Sequence, residues 1–117
     1  MRVSIAVILL SASMLTSATA QSQFAGKWQT RTSAIRINIV ESEQEIRGTV
    51  VLVNPDRREI ELPITKPKAK GTLLEFETVL NSNTSYWSLT VNKDASRGLL
   101  HVKSWMMQFE GPVFKQH

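Results

Sequence analysis

The sequence contains no cysteine and few of the residues that enzymes use most often. Without cysteine there is no disulfide, no thiolate nucleophile and no cysteine ligand for zinc. Histidine occurs only twice, as His101 and as the last residue, His117. No serine lies in a G-x-S-x-G turn, and no glycine-rich loop leads from an apolar strand into a helix. These absences predict a protein that is not an enzyme and holds neither a metal nor a cofactor.

Long apolar runs are also missing. The most apolar stretch, Val3–Leu10, is far shorter than the ~20 residues that a membrane-spanning helix needs. Arg2 precedes it, and small or polar residues follow it as far as Ala18-Thr19-Ala20. A positive start, a short apolar segment and an A-x-A site are the three parts of a secretory signal. The sequence therefore predicts a signal peptide over 1–20, cleaved after Ala20, and one exported domain over 21–117. With no cysteine to carry a lipid anchor, we expect a soluble periplasmic or secreted protein.

A strong excess of one charge is missing as well. The chain has a net charge of +4, and one of its positive charges, on Arg2, lies in the predicted signal. This balance favours solubility but is not the clustered basic charge that nucleic-acid binding requires. We therefore expect no nucleic-acid partner.

From Gln21 onward, apolar and polar residues alternate between short groups of turn-forming residues, which predicts many short β-strands. Asn54-Pro55-Asp56 and Asn81-Ser82-Asn83 are typical of turns, and Lys66–Gly71 of a polar connection. Gly111-Pro112 suits an edge, a bulge or a turn rather than a central strand. We predict an up-and-down antiparallel meander of seven or eight strands closing into a small barrel, with a β-sandwich as the alternative. The predicted inward positions are Ile35, Ile37, Ile39, Ile46, Gly48, Val50, Leu52, Ile60, Leu62, Ile64, Leu74, Phe76, Leu80, Trp87, Leu89, Val91, Leu100 and Val102.

The segment Phe24-Ala25-Gly26-Lys27-Trp28 resembles the first strand of the calycin superfamily, which includes the lipocalins and the avidins. The resemblance implies a barrel with Trp28 plugging one end. The likeness to avidins continues in Gly48-Thr49 and in Trp87 and Trp105, which stand roughly where avidins place aromatic residues against biotin. Ala34 and Val50 stand where avidins have hydroxyl groups, and only Ser85 could supply one. The resemblance thus implies the fold but not biotin binding.

Two interpretations of the barrel interior follow. In one, Phe76, Trp87, Trp105 and Phe109 line a shallow apolar mouth that binds a small hydrophobic or aromatic ligand. In the other, side chains fill the interior, because eight short strands enclose only enough space for them. We favour the filled interior.

Charged residues supply the candidates for partner contacts. We expect Glu59, Glu61, Glu75 and Glu77 on the outer surface, with Glu61 opposite Glu75 and Glu59 opposite Glu77 if their strands pair through a Thr65–Gly71 loop. Because facing like charges destabilise a sheet, this group needs cations from Arg47, Arg57 or Arg58, or from a bound ion or partner.

Lys66, Lys68 and Lys70 form the densest basic run. They either guard a sheet edge or make a weak contact with an anionic envelope surface. For the strand around His101 we favour the register with Leu100 and Val102 inward and with a bend before Trp105; the alternative places His101 and Lys103 inside with Trp105.

Taken together, these features favour an exported, non-catalytic interaction domain. Its expected partner is another extracytoplasmic protein, which it would contact as an inhibitor or as an envelope assembly factor. The alternative function is carriage of a small apolar ligand in the barrel mouth.

Overall fold

A computed structural model of the protein describes residues 22–43, 45–105 and 107–116. The predicted signal peptide lies outside the described residues, as do Met106 and His117. A 3-10 turn over Ser22–Phe24 precedes the strands. The strands are β1 (Gly26–Gln29), β2 (Ile35–Ser42), β3 (Glu45–Val53), β4 (Glu59–Pro63), β5 (Thr65–Lys70), β6 (Leu73–Leu80), β7 (Asn83–Val91), β8 (Arg97–Lys103) and β9 (Gln108–Gln116).

These strands form one antiparallel sheet in the order β4-β3-β2-β1-β9-β8-β7-β6-β5. The chain meanders from neighbour to neighbour, and β9 returns to pair with β1. The predicted all-β, up-and-down antiparallel fold is confirmed. We call the end that carries turns 30–34, 54–58, 81–82 and 104–107 the upper end, and the end with the 3-10 turn and turns 71–72 and 92–96 the lower end.

The sheet is nearly closed into a barrel because its two outermost strands, β4 and β5, are consecutive in the chain. Only Ile64 separates them, and its N–H donates to Gly48 O at 2.9 Å, which extends the β3–β4 pairing. At the next residue, Thr65, the chain is already opposite Glu77 of β6. One continuous segment, 59–70, therefore connects the two edges of the sheet. Because this segment is divided into β4 and β5, the sheet has nine strands instead of the predicted seven or eight.

A bulge marks the point where this segment changes partners. The β5–β6 register shifts between Thr65 and Lys68, and Lys66 has a φ of 50°. A bulge of this kind bends a strand and increases its twist. The prediction of a polar connection over Lys66–Gly71 is therefore wrong, since 65–70 is a strand.

Most of the predicted inward positions belong to the barrel core or pack against it. Ile35, Ile37, Leu89, Leu100 and Val102 are all less than 7% exposed. The preferred register of β8 is confirmed, because Leu100 and Val102 are fully buried while His101 and Lys103 are exposed.

Trp28 lies against the 3-10 turn, with its side chain 1% exposed. Its Nε1 donates to Phe24 O at 3.0 Å, so burial leaves the indole N–H satisfied. Lys115 Nζ lies 4.9 Å from the centre of the Trp28 ring system and donates to Gln23 O at 3.2 Å. These contacts hold the 3-10 turn across the lower end. The fold is compatible with a calycin-like barrel.

Gly111 and Pro112 lie within β9, which stands between β1 and β8 in the sheet. However, β1 pairs only with residues 114–116, so Gly111 and Pro112 pair on the β8 side alone. Proline is therefore placed at a local edge, where its missing N–H costs no ladder hydrogen bond.

Candidate functional site

Three of the four residues predicted to line an apolar mouth lie in one cross-strand row. Phe76 is opposite Trp87, Trp87 is opposite Val102, and Val102 is opposite Phe109. The Phe76 and Trp87 rings stack with their centroids 5.7 Å apart and their planes 11° apart. Both side chains are buried, and Phe109 is half-buried against the same core.

The indole N–H of Trp87 has a partner inside the barrel. It donates to Thr78 Oγ1 at 2.9 Å, and Thr78 is itself 1% exposed. A polar ligand group is therefore not needed to satisfy this buried donor. Phe76 and Trp87 belong to the packed core rather than to an open surface.

Trp105 does not join this row, contrary to the prediction that it lines the mouth with Trp87. It lies in the turn between β8 and β9 and is 68% exposed. Ser104 N–H donates to Met107 O at 2.9 Å, and Met107 N–H donates to Ser104 Oγ at 3.0 Å. Because β8 ends at Lys103, the inward alternation of Leu100 and Val102 does not continue to Trp105.

The four predicted surface glutamates do not face one another. Glu59 is opposite Val53 and Glu61 opposite Val51, because β4 pairs with β3. On the other side of the bulge, Glu75 is opposite Lys68 and Glu77 is opposite Thr65. The prediction of a facing acidic group across a Thr65–Gly71 loop is therefore wrong, since no hairpin joins β4 to β6.

The acidic residues instead have separate basic neighbours. Arg36 Nη2 contacts Glu59 Oε2 at 2.5 Å, and Lys66 Nζ lies 3.9 Å from Glu77 Oε1. Two of the three arginines proposed to neutralise them have other partners: Arg47 pairs with Glu45 and Arg58 with Asp56. Exposed ion pairs of this kind contribute only about 0–1 kcal/mol each to stability.

Exposed apolar side chains at the upper end of β6–β8 and in the turn after β8 were not grouped together by the sequence analysis. Val79, Tyr86 and Trp105 are 47%, 57% and 68% exposed. Val79 is opposite Thr84, and Tyr86 is opposite Glu77 on one side and Lys103 on the other. We call Val79, Thr84, Tyr86, Lys103 and Trp105 the aromatic patch. Because adjacent residues of a strand point to opposite faces, an inward-facing Trp87 predicts an outward-facing Tyr86.

At the lower end, Glu41 and Lys115 are partly buried charged residues that the sequence did not single out. Burial raises the pKa of Glu41, an effect that the Lys115 charge opposes. Burial also lowers the pKa of Lys115, against the opposing charge of Glu41. Glu41 Oε1 is buried without a hydrogen-bond partner among the described residues. Burial thus disfavours the charged form of each residue, and the opposite charge of the other partly offsets this effect.

The outer face also has a shallow groove of about 270 Å³ across β1–β4, lined by Lys27, Gln29, Arg36, Asn38, Thr49 and Glu61 among others. Its lining combines polar and charged residues of both signs with the apolar residues Trp28, Ile37 and Val51. Within residues 22–43, 45–105 and 107–116, no group of three or more histidine or acidic side chains could hold a metal ion. In the same part of the chain, no helix has the length and apolar character needed to span a membrane.

Comparison with protein-family models, with curated proteins and with solved structures finds no match for this chain.

Proposed function

We propose that this protein is an exported, non-catalytic interaction domain that contacts another extracytoplasmic protein through the outside of its barrel. The proposal rests on the distribution of the large aromatic side chains between the core and the surface. Trp28, Phe76 and Trp87 are buried in the core, whereas Tyr86 of β7 and Trp105 in the turn after β8 are exposed.

Exposed aromatic residues are the side chains that contribute most often to protein interfaces. Tryptophan and tyrosine are enriched among the residues that dominate binding energy. Hydrogen bonds between Ser104 and Met107 hold the backbone of the turn that carries Trp105 before any partner binds. A contact that is already ordered loses less conformational entropy on binding. The partner would be inhibited by the domain or assembled with it in the envelope.

A photo-crosslinking amino acid tests this proposal in cells of the source organism. It replaces Lys103 in the aromatic patch or Lys68 on β5, and Lys93 serves as the matched control. Lys93 is also an exposed lysine but lies in the lower-end turn 92–96. We expect an adduct with a second extracytoplasmic protein from position 103 or 68 and none from position 93. Equal labelling at all three positions, or no protein adduct together with saturable binding of a small apolar ligand, would contradict the proposal.

A further inference from the structure

The outer face of β6–β8 is arranged so that its acidic and basic residues lie on opposite sides of β7. β6 presents Glu75 and Glu77, and β8 presents His101 and Lys103. Between them β7 presents Ser88 opposite Glu75 and His101, and Tyr86 opposite Glu77 and Lys103. Toward the upper end the same two sides carry apolar groups, Val79 on β6 and Trp105 just beyond β8.

This arrangement is complementary to itself. A two-fold axis that runs along β7, between two copies placed face to face, exchanges the β6 side of one copy with the β8 side of the other. Glu77 then faces Lys103 of the second copy, Glu75 faces its His101, and Val79 faces its Trp105. Tyr86 lies against Tyr86 of the second copy. A two-fold interface needs one surface that matches itself in this way.

We propose that the aromatic patch, extended by Glu75, Glu77 and His101, is an interface for a second copy of this chain. The inference rests on the proposed function in one respect, since both use the outer face of β6–β8. Mixed charge favours a second copy over an anionic lipid surface, which would attract Lys103 but repel Glu75 and Glu77.

The interface is small, and the dimer is correspondingly weak. Tyrosine and tryptophan bury about 150–250 Å² each, and a standard stable interface buries ~800 Å² per partner. Lys66 Nζ lies 3.9 Å from Glu77 Oε1 and competes with Lys103 of the second copy. We therefore expect dimerisation with a Kd on the order of 100 µM, detectable only in concentrated solution.

Sedimentation of the purified exported domain from about 5 µM to about 1 mM tests this expectation, because that range spans the expected Kd. The average mass should rise toward that of a dimer. Lys103→Glu should weaken dimerisation at least about tenfold, a change of ~1.4 kcal/mol, because a carboxylate would then face Glu77. Lys93→Glu makes the same charge change at the lower end and should leave the dimer intact. Trp105→Ala removes an exposed side chain and should also weaken the dimer.

The reciprocal variant Glu77→Lys should weaken the dimer as Lys103→Glu does, and combining the two should restore it. A monomer at every concentration would overturn the proposal. So would a dimer that Lys103→Glu and Trp105→Ala leave unchanged, or a double variant as weak as either single one. Failure here is distinct from failure of the proposed function, because a photo-crosslink from position 103 to a different protein would still form.

Discussion

Trp87 donates its indole N–H to the Thr78 hydroxyl over 2.9 Å in the interior of the barrel. The Trp87 ring also stacks on Phe76, its cross-strand neighbour. One side chain thus contributes a large apolar area and a satisfied buried donor to the same core. This relationship supports a barrel whose interior is filled by its own residues.

Replacing Trp87 with alanine should lower the free energy of unfolding by ~3–5 kcal/mol, because it opens a cavity in a core that no disulfide holds together. Chemical denaturation of the exported domain measures the loss. Trp105→Ala is the matched control: its side chain is 68% exposed, and the loss should be within about 0.5 kcal/mol. Similar losses for the two variants would contradict the assignment of Trp87 to the core and Trp105 to the surface.

Replacing Thr78 with valine should cost about 1–3 kcal/mol, because it keeps the side-chain shape but leaves the Trp87 N–H buried without an acceptor. The same change at Thr90, an exposed residue of β7, should have little effect. Denaturant midpoints of the two variants, compared with the original chain, decide the matter. Equal stability of Thr78→Val and the original chain would mean that this hydrogen bond does not form in solution.

Gly48 lies where β2 and β3 pair closely, opposite Ile39. A Cβ atom there would lie 2.2 Å from the backbone oxygen of Asn38, so the strand would have to move. We expect Gly48→Ala to lose about 1–3 kcal/mol, as overpacked substitutions do. Gly71→Ala, at a turn with no atom within 4 Å of the new Cβ, should lose about 1–2 kcal/mol from its φ of +59° alone. If thermal denaturation shows that Gly48→Ala is more stable than Gly71→Ala, the close approach of β2 and β3 at Gly48 is wrong.

Glu41 should make stability depend on pH in a direction fixed by its environment. Burial raises its folded-state pKa above the ordinary value of 4.5. The folded state therefore binds the proton more tightly, and this contribution to stability is present below pH 4.5 and lost as pH rises through the raised pKa. Glu41→Gln, which keeps a neutral side chain throughout, should be more stable than the original chain at pH 7 and lose that advantage at pH 4. An advantage that is larger at pH 4 would contradict the direction of the pKa shift.

The sequence was sufficient to predict those strands that bury one face. Ile35, Ile37 and Ile39 alternate with polar residues, and Leu100 and Val102 do the same, so a shift of one residue would expose the whole set. This is why the strand register around His101 could be predicted from apolar spacing alone.

Other features depend on which strands pair, and apolar spacing does not encode that. β5 contains lysine and proline instead of inward-facing apolar residues, so it resembled a connection. Segment 59–70 pairs first with β3 and then, after the bulge that follows Thr65, with β6. No turn intervenes, so Glu61 and Glu75 are not opposite one another. The position of Trp105 depends on where β8 ends, because the inward alternation of Leu100 and Val102 stops with the strand at Lys103. Tyr86 points outward because its neighbour Trp87 points inward, so the alternation of β7 does predict its exposure.

Titration of small apolar ligands against tryptophan emission is the most direct test of the filled barrel. The experiment uses Trp105→Phe, so that the signal comes from the buried indoles of Trp28 and Trp87. Fatty acids, biotin and aromatic compounds are added in turn. A filled interior predicts no saturable change in intensity or wavelength with any of them, and no shift in the denaturation midpoint. Saturable binding at micromolar concentration, with a matching gain in stability, would show that the interior opens to a ligand and would contradict the account.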